Sequence, residues 1–160
     1  MAPKLARLEP VEETDDLAPV DLSSLSGIVG YPIRRAQIVV FEDFARRFAP
    51  LNLTPAQYST LVVIGDNPGR KQSDIGGALG IQRPNFVAMM DELERRGLAE
   101  RTRSGADRRA NALALTPAGE ALLALARVAQ SEQEAAIDRL LGRDERQSLV
   151  DRLNRLAKLT

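Results

Sequence analysis

The sequence contains neither cysteine nor histidine, and these two absences remove most of the side-chain chemistry that enzymes use. Without cysteine there is no disulfide, no thiolate nucleophile and no thiol redox sensor. Without histidine there is no imidazole to act as a general base or a metal ligand. No paired carboxylates framed by a glycine-rich loop stand in for them. We therefore expect a protein that is not an enzyme and that uses no metal and no cofactor.

The sequence also lacks a long apolar run and a net charge. No stretch approaches the roughly 18 consecutive apolar residues that span a bilayer. Acidic residues near the start occupy the place where a signal peptide needs an apolar stretch. We therefore expect a cytoplasmic protein without a membrane partner. Lys and Arg number 22, as do Asp and Glu, which argues against a protein that coats nucleic acid indiscriminately.

Apolar residues make up 44% of the 160 positions, which is enough for one domain with a real core. The charges are unevenly distributed along the chain. Residues 1–21 hold six acidic and two basic residues, which predicts a flexible acidic arm. Residues 101–109 hold four arginines and one aspartate. A local basic segment on a neutral chain is typical of a protein that touches DNA at a few defined places.

Apolar residues spaced three and four apart predict a mainly helical chain. Thr54 and Thr116, each followed by a proline, are predicted helix caps. Two short helices separated by Gly80 form a helix-turn-helix, of which the second is the recognition helix. The predicted helices cover a short piece at 22–29 and then residues 32–49, about 55–64, 72–79, 83–96, 117–141 and 144–158.

Short runs at 98–103 and 110–116 flank a Ser-Gly tip and predict a β-hairpin with a basic loop, although their alanines lower the strand propensity. A hairpin directly after a recognition helix is a wing. The predicted fold is therefore mainly α with a small β-hairpin wing, a winged helix-turn-helix. The long helices at 32–49, 117–141 and 144–158 carry more apolar surface than one small DNA-binding domain can cover. This excess predicts a homodimer with a helical dimerisation region.

These elements divide the chain into four predicted parts. An acidic N-terminal arm comprises residues 1–21, and an N-terminal dimerisation helix comprises residues 22–53. The winged helix-turn-helix DNA-binding domain comprises residues 54–116, and C-terminal dimerisation helices comprise residues 117–160.

The order of elements resembles the MarR family of bacterial regulators. Three segments carry the likeness: LGI at 79–81, DELERRGL at 91–98, and DRR at 107–109 with LALTPAG at 113–119. The resemblance extends over about residues 30–158. It implies an obligate homodimer with recognition helices in successive major grooves and wings against the flanking minor grooves. It also implies release from DNA when a small aromatic acid or a related acyl-CoA thioester binds.

The chain departs from the family pattern on the recognition helix. Family members commonly carry small hydroxyl residues and an arginine there, whereas this chain has Pro84, Asn85, Val87 and Ala88. The operator sequence therefore does not follow from the resemblance. Pro84, Val87 and Ala88 also keep a second hypothesis open, a winged-helix protein-interaction module without specific DNA binding.

Nine residues are predicted at the DNA interface. Arg83 and Asn85 begin the recognition helix, where arginine can bind guanine and asparagine adenine. Arg108 and Arg109 are placed to meet phosphates or a narrow minor groove. For each residue the alternative is a helix cap or a solvated loop. The full set is Lys71, Gln72, Ser73, Gln82, Arg83, Asn85, Asp107, Arg108 and Arg109, with Asp107 ordering the wing loop and residues 71–73 offering helix amides to phosphate.

Four residues are candidates for an effector pocket, because aromatic walls and a cation suit an anionic aromatic ligand. They are Arg34, Arg35, Phe41 and Tyr58. The alternative is ordinary packing for the two aromatic rings and salt bridges for the two arginines. Together these features predict a ligand-responsive transcriptional repressor whose partners are double-stranded DNA, a second copy of itself and a small aromatic acid or acyl-CoA effector.

Overall fold

The computed structural model describes residues 19–103 and 111–159, and these are mostly helical. The helices are α1 (Ser23–Ser26), α2 (Gly30–Phe48), α3 (Pro55–Asp66), α4 (Gln72–Ala78), α5 (Arg83–Arg95), α6 (Pro117–Leu141) and α7 (Arg143–Leu156). A 3-10 turn (Ala49–Leu51) links α2 to α3, and two strands, β1 (Ala99–Arg103) and β2 (Asn111–Leu115), form an antiparallel hairpin. The predicted mainly helical fold with one hairpin is confirmed.

Contacts divide the chain into two units between Ala36 and Gln37, inside α2. In the first unit the predicted helical piece at 22–29 is only the single turn α1, so that prediction was too long. Helix α2 begins at Gly30 rather than at Pro32. Proline needs no amide partner in the first turn of a helix, so the helix can begin two residues before it. The larger second unit contains the hairpin and helices α3 to α7.

Both predicted threonine caps are present. The Thr54 hydroxyl accepts from the Gln57 amide at 3.2 Å, and the Gln57 side chain accepts from the Thr54 amide at 3.0 Å, which completes a capping box. The Thr116 hydroxyl accepts from the Gly119 amide at 3.0 Å and donates to the Gly97 carbonyl at 2.6 Å. The second cap therefore also ties the start of α6 to the residue that follows the C-cap of α5.

Helix α3 lies in the middle of the core. Its Leu61 and Ile64 are fully buried, as are Met90 and Leu93 of α5 and Leu113 of β2, and each such side chain contributes about 1.5–3 kcal/mol when it leaves water. Phe86 of α5 is buried in the same core. Met89 is only half-buried at the margin of the core, where its sulfur accepts from the Thr60 hydroxyl at 3.8 Å.

The segment that precedes α4 pairs with the hairpin, which the sequence did not indicate. The Gly69 amide donates to the Leu113 carbonyl at 2.9 Å, and the Leu113 amide donates to the Arg70 carbonyl at 2.9 Å. A φ of +81° at Gly69 allows this turn, because L side chains rarely adopt that conformation. The start of α4 is therefore fixed to the base of the wing.

Glycine at 119 permits a close approach between α6 and the entrance to β1. A Cβ atom at this position would lie 1.8 Å from the Leu98 carbonyl oxygen, a distance no packed atom tolerates. Helix α6 and the winged region are thus joined at a contact that excludes any side chain. Over the described ranges, no helix combines the length and apolar character needed to cross a bilayer.

Candidate nucleic-acid interface

The N-terminal end of α5 presents three of the predicted DNA contacts to solvent. Gln82 occupies the position before the helix, and Gln82, Arg83 and Asn85 are all exposed. Phe86, the next residue, points into the core. The helix therefore buries one face and leaves the opposite face open, as a recognition helix must for its side chains to reach base edges. Pro84, Val87 and Ala88 share the open face.

A cleft of about 740 Å³ lies between α4, α5 and β1. Four of the predicted DNA contacts line it, namely Lys71, Gln72, Ser73 and Arg83. The Ser73 hydroxyl donates to the Asp74 carboxylate at 3.2 Å, a contact within its own helical turn. The structure thus brings the start of α4 and the start of α5 to one concave surface, and the roles of these residues at DNA stay predictions.

Arg101 does not add its charge to the basic segment as the composition indicated. Its guanidinium binds the carboxylates of Asp91, at 2.7 Å, and Glu94, and its Nε donates to the Gln72 side-chain oxygen at 2.8 Å. The side chain is only 18% exposed. The partners are up to 29 residues away in the sequence, so no local pattern could have identified them.

The wing tip, with the predicted residues Asp107, Arg108 and Arg109, lies outside the described residues. The strands that lead to it are paired in register from Ala99 with Leu115 to Arg103 with Asn111. The predicted hairpin is therefore present, and the roles of its three tip residues stay predictions.

The two aromatic candidates for the effector pocket differ in environment. Phe41 is exposed on α2, whereas Tyr58 is half-buried with its ring edge-on to Phe48 at 5.1 Å between centroids. Burial raises the pKa of the Tyr58 hydroxyl. This packing matches the alternative considered for Tyr58, that its ring belongs to the core. Arg34 and Arg35 are exposed in the first unit. A shared pocket for the four residues stays a prediction.

A polar network between α2 and α6 was missed at the sequence level. The buried amide of Gln133 donates to the Val40 carbonyl at 2.9 Å and to the Asp43 carboxylate at 3.2 Å. Arg47 donates to the same carboxylate at 2.7 Å, and this hydrogen bond is the main cause that lowers the pKa of Asp43. Residues 90 positions apart form the network, so only the tertiary structure reveals it.

Comparison with known proteins places the chain among transcriptional regulators. The model of the MarR family matches residues 51–110. A putative transcriptional regulatory protein for the hcr operon of Thauera aromatica is 37% identical over 142 residues, which cover 88% of this chain and 86% of that protein.

Two solved structures of the transcriptional repressor CouR are similar over 88% of this chain. CouR bound to a 23-mer DNA duplex superposes with a TM-score of 0.85 and 48% identity, over 100% of that chain. CouR bound to p-coumaroyl-CoA superposes with a TM-score of 0.81 and 46% identity, over 99% of that chain.

Proposed function

The chain belongs to the MarR family of transcriptional regulators, and from this premise we propose that it is a homodimeric repressor that a small effector releases from its operator. The observation that carries the proposal is the exposed start of α5, with Gln82, Arg83 and Asn85, in a chain 48% identical to a repressor bound to DNA. Arg83 and Asn85 offer the donor and acceptor groups that distinguish bases in the major groove. The operator is then a near-palindrome, because a two-fold dimer reads two half-sites.

Exposed apolar side chains support the homodimer. In the first unit, Leu22, Leu25, Ile28, Val29 and Ile33 are exposed. In the second unit, α6 and α7 expose a separate set: Leu125, Val128, Leu140, Leu141, Leu149, Val150, Leu153 and Leu156. Surfaces of this kind are characteristic of obligate interfaces. These surfaces support the assignment of residues 22–53 and 117–160 as dimerisation segments. We further propose that residues 54–116 are the DNA-binding domain and that residues 1–21 form an acidic arm.

The effector is a small aromatic acid or an acyl-CoA thioester of one. The complex of CouR with p-coumaroyl-CoA, at 46% identity, supports this class of ligand. Exposed Phe41 offers an aromatic wall, and Arg34 or Arg35 offers a cation for the anionic group. The hydroxyl of Tyr58 offers a hydrogen bond.

We infer that the protein acts by binding DNA rather than by catalysis, because the family model and the solved structures that it resembles belong to transcriptional regulators. A regulator of bacterial transcription works where the chromosome lies, so we place it in the cytoplasm. The alternative, a protein-interaction module, predicts that the exposed face of α5 binds no DNA with sequence preference.

The test is fluorescence anisotropy with the DNA that flanks the protein's own gene and with random DNA of equal length. We expect operator binding that is at least about 1,000-fold tighter than random binding at physiological salt. Addition of p-coumaroyl-CoA or its free acid should release the operator. Arg83→Ala should weaken operator binding by about tenfold, with Arg95→Ala as the control on the same helix. Equal affinity for both DNAs would contradict the proposal and favour the interaction module.

A further inference from the structure

Arg101 lies where three DNA-reading elements meet. Its own strand, β1, leads into the wing, and Nε reaches α4 through Gln72. The two terminal nitrogens reach α5 through Asp91 and Glu94. Nη2 also lies 3.4 Å from the Val87 carbonyl, one turn after the start of α5. One side chain thus contacts the start of α4, the middle of α5 and the base of the wing.

The chemistry of these contacts requires an arginine. A guanidinium carries five donors in a rigid planar fork, whereas a lysine ammonium is a single point charge on a flexible stem. The Arg101 backbone amide adds a further bond, to the Glu94 carboxylate at 2.8 Å, so Glu94 accepts from both the main chain and the side chain of one residue. This double contact fixes the register of β1 against α5.

Neutralisation by two carboxylates distinguishes Arg101 from the arginines expected to meet DNA. A guanidinium already paired with Asp91 and Glu94 has little net charge to offer a phosphate. Breaking the cluster also leaves Glu94, which is half-buried, without its cationic partner and with the backbone amide of residue 101 as its remaining donor among the hydrogen bonds described above. An unpaired carboxylate in such a place is costly, so loss of the guanidinium shifts the elements that it joins.

From this geometry we propose that Arg101 is a positioning residue for operator recognition, which holds α4, α5 and the wing in the mutual arrangement that DNA requires without contacting DNA itself. The inference rests on the proposed function. Specific binding depends on simultaneous contact by all three elements, whereas non-specific binding depends on phosphate charge alone. Loss of Arg101 therefore reduces discrimination between operator and random DNA and leaves the salt dependence unchanged.

The experiment measures affinity against salt concentration for operator and random DNA with Arg101→Met, Arg101→Lys and the control Arg95→Met. Arg95 is 72% exposed and pairs with Glu92 on its own helix. We expect Arg101→Met and Arg101→Lys to weaken operator binding by about tenfold with unchanged salt slopes, and Arg95→Met to bind as wild type. Wild-type affinity in Arg101→Lys would overturn the proposal. So would a slope lowered by about one in Arg101→Met on both DNAs, because that marks a direct phosphate contact.

Glu94→Gln provides an independent readout, since it keeps the shape of the side chain and removes a negative charge from the protein. Plain electrostatics predicts tighter DNA binding, whereas the positioning role predicts weaker operator binding. Tighter binding overturns the proposal, and this variant decides the question if the Arg101 variants do not fold. Failure of the wild type to distinguish operator from random DNA would instead contradict the proposed function, so the two failures are separable.

Discussion

The winged region and the long C-terminal helices differ in how far their large apolar side chains are exposed to solvent. Leu61 and Ile64 of α3, Met90 and Leu93 of α5, and Leu113 of β2 are all completely buried within one chain. On α7, by contrast, Leu149, Val150, Leu153 and Leu156 are each between 38% and 44% exposed, and Leu140 of α6 is 82% exposed. The apolar side chains of the winged region therefore lie in a core that α2 and α6 complete within one chain, whereas α6 and α7 also carry an exposed apolar face that is typical of an interface with a second copy.

The contact between α6 and the winged region, at Gly119, is where we expect a substitution to destabilise the protein most. Gly119→Ala would place a Cβ atom 1.8 Å from the Leu98 carbonyl oxygen, so α6 must move away from the winged region. We expect a loss of about 3 kcal/mol or more in the free energy of unfolding, measured by urea denaturation.

Gly77→Ala is the matched control for this change. It lies in α4, and a Cβ atom there meets nothing within 4 Å. We expect it to stabilise the protein by about 0.5–1 kcal/mol, because alanine costs less conformational entropy in a helix. Equal changes in the free energy of unfolding for the two substitutions would contradict the close approach of α6 to Leu98 at Gly119.

The exposed face of α7 should affect assembly rather than folding. Leu153→Glu places a charge on the predicted dimer surface, and we expect it to weaken dimerisation by roughly 100-fold. Asn154→Glu introduces the same group at an exposed polar position of the same helix and should leave the dimer intact. Sedimentation equilibrium measures both. A stable wild-type monomer at micromolar concentration would refute the dimer assignment.

Two neighbouring arginines at the end of α5 should contribute differently to the stability of the protein. Arg96 donates to the Asn52 carbonyl at 2.8 Å and to the Leu51 carbonyl at 3.2 Å, and so connects the recognition helix to the turn after α2. Arg96→Met should cost about 1–2 kcal/mol in thermal unfolding. Arg95→Met removes only an exposed pair within its own helix and should cost less than about 0.5 kcal/mol. A larger loss at Arg95 would reverse this ranking.

The smallest expected effect concerns pH and the network between α2 and α6. Because the folded-state pKa of Asp43 is lowered, its contribution to stability is present above the unfolded pKa of about 4 and is lost as the pH falls through the folded value. Between pH 5 and pH 3 the wild type should therefore lose more stability than Asp43→Asn. Identical slopes of stability against pH in the wild type and in Asp43→Asn, measured by urea denaturation, would show that Asp43 makes no such contribution.

The local parts of the fold were predictable from the sequence because their signals are local. Thr54 and Thr116 are caps as expected, and the helices of the helix-turn-helix begin at Gln72 and Arg83 as predicted. The alanine-rich strands had weak propensity, yet the hairpin forms with Ala99, Ala112 and Leu113 buried, because burial of a side chain can override propensity. The pairings of Arg101, Gln133 and Arg96 join distant segments, and no periodicity encodes them.

Hydroxyl-radical footprinting on the DNA that flanks the protein's own gene would show directly whether two winged regions, joined through the helical region of a dimer, bind one operator. We expect two protected segments of similar sequence, related by two-fold symmetry, with centres about one helical turn or roughly 10 bp apart. Addition of p-coumaroyl-CoA or its free acid should abolish both together. A single protected segment, or protection that does not depend on sequence, would show that the protein does not bind DNA as a two-fold dimer.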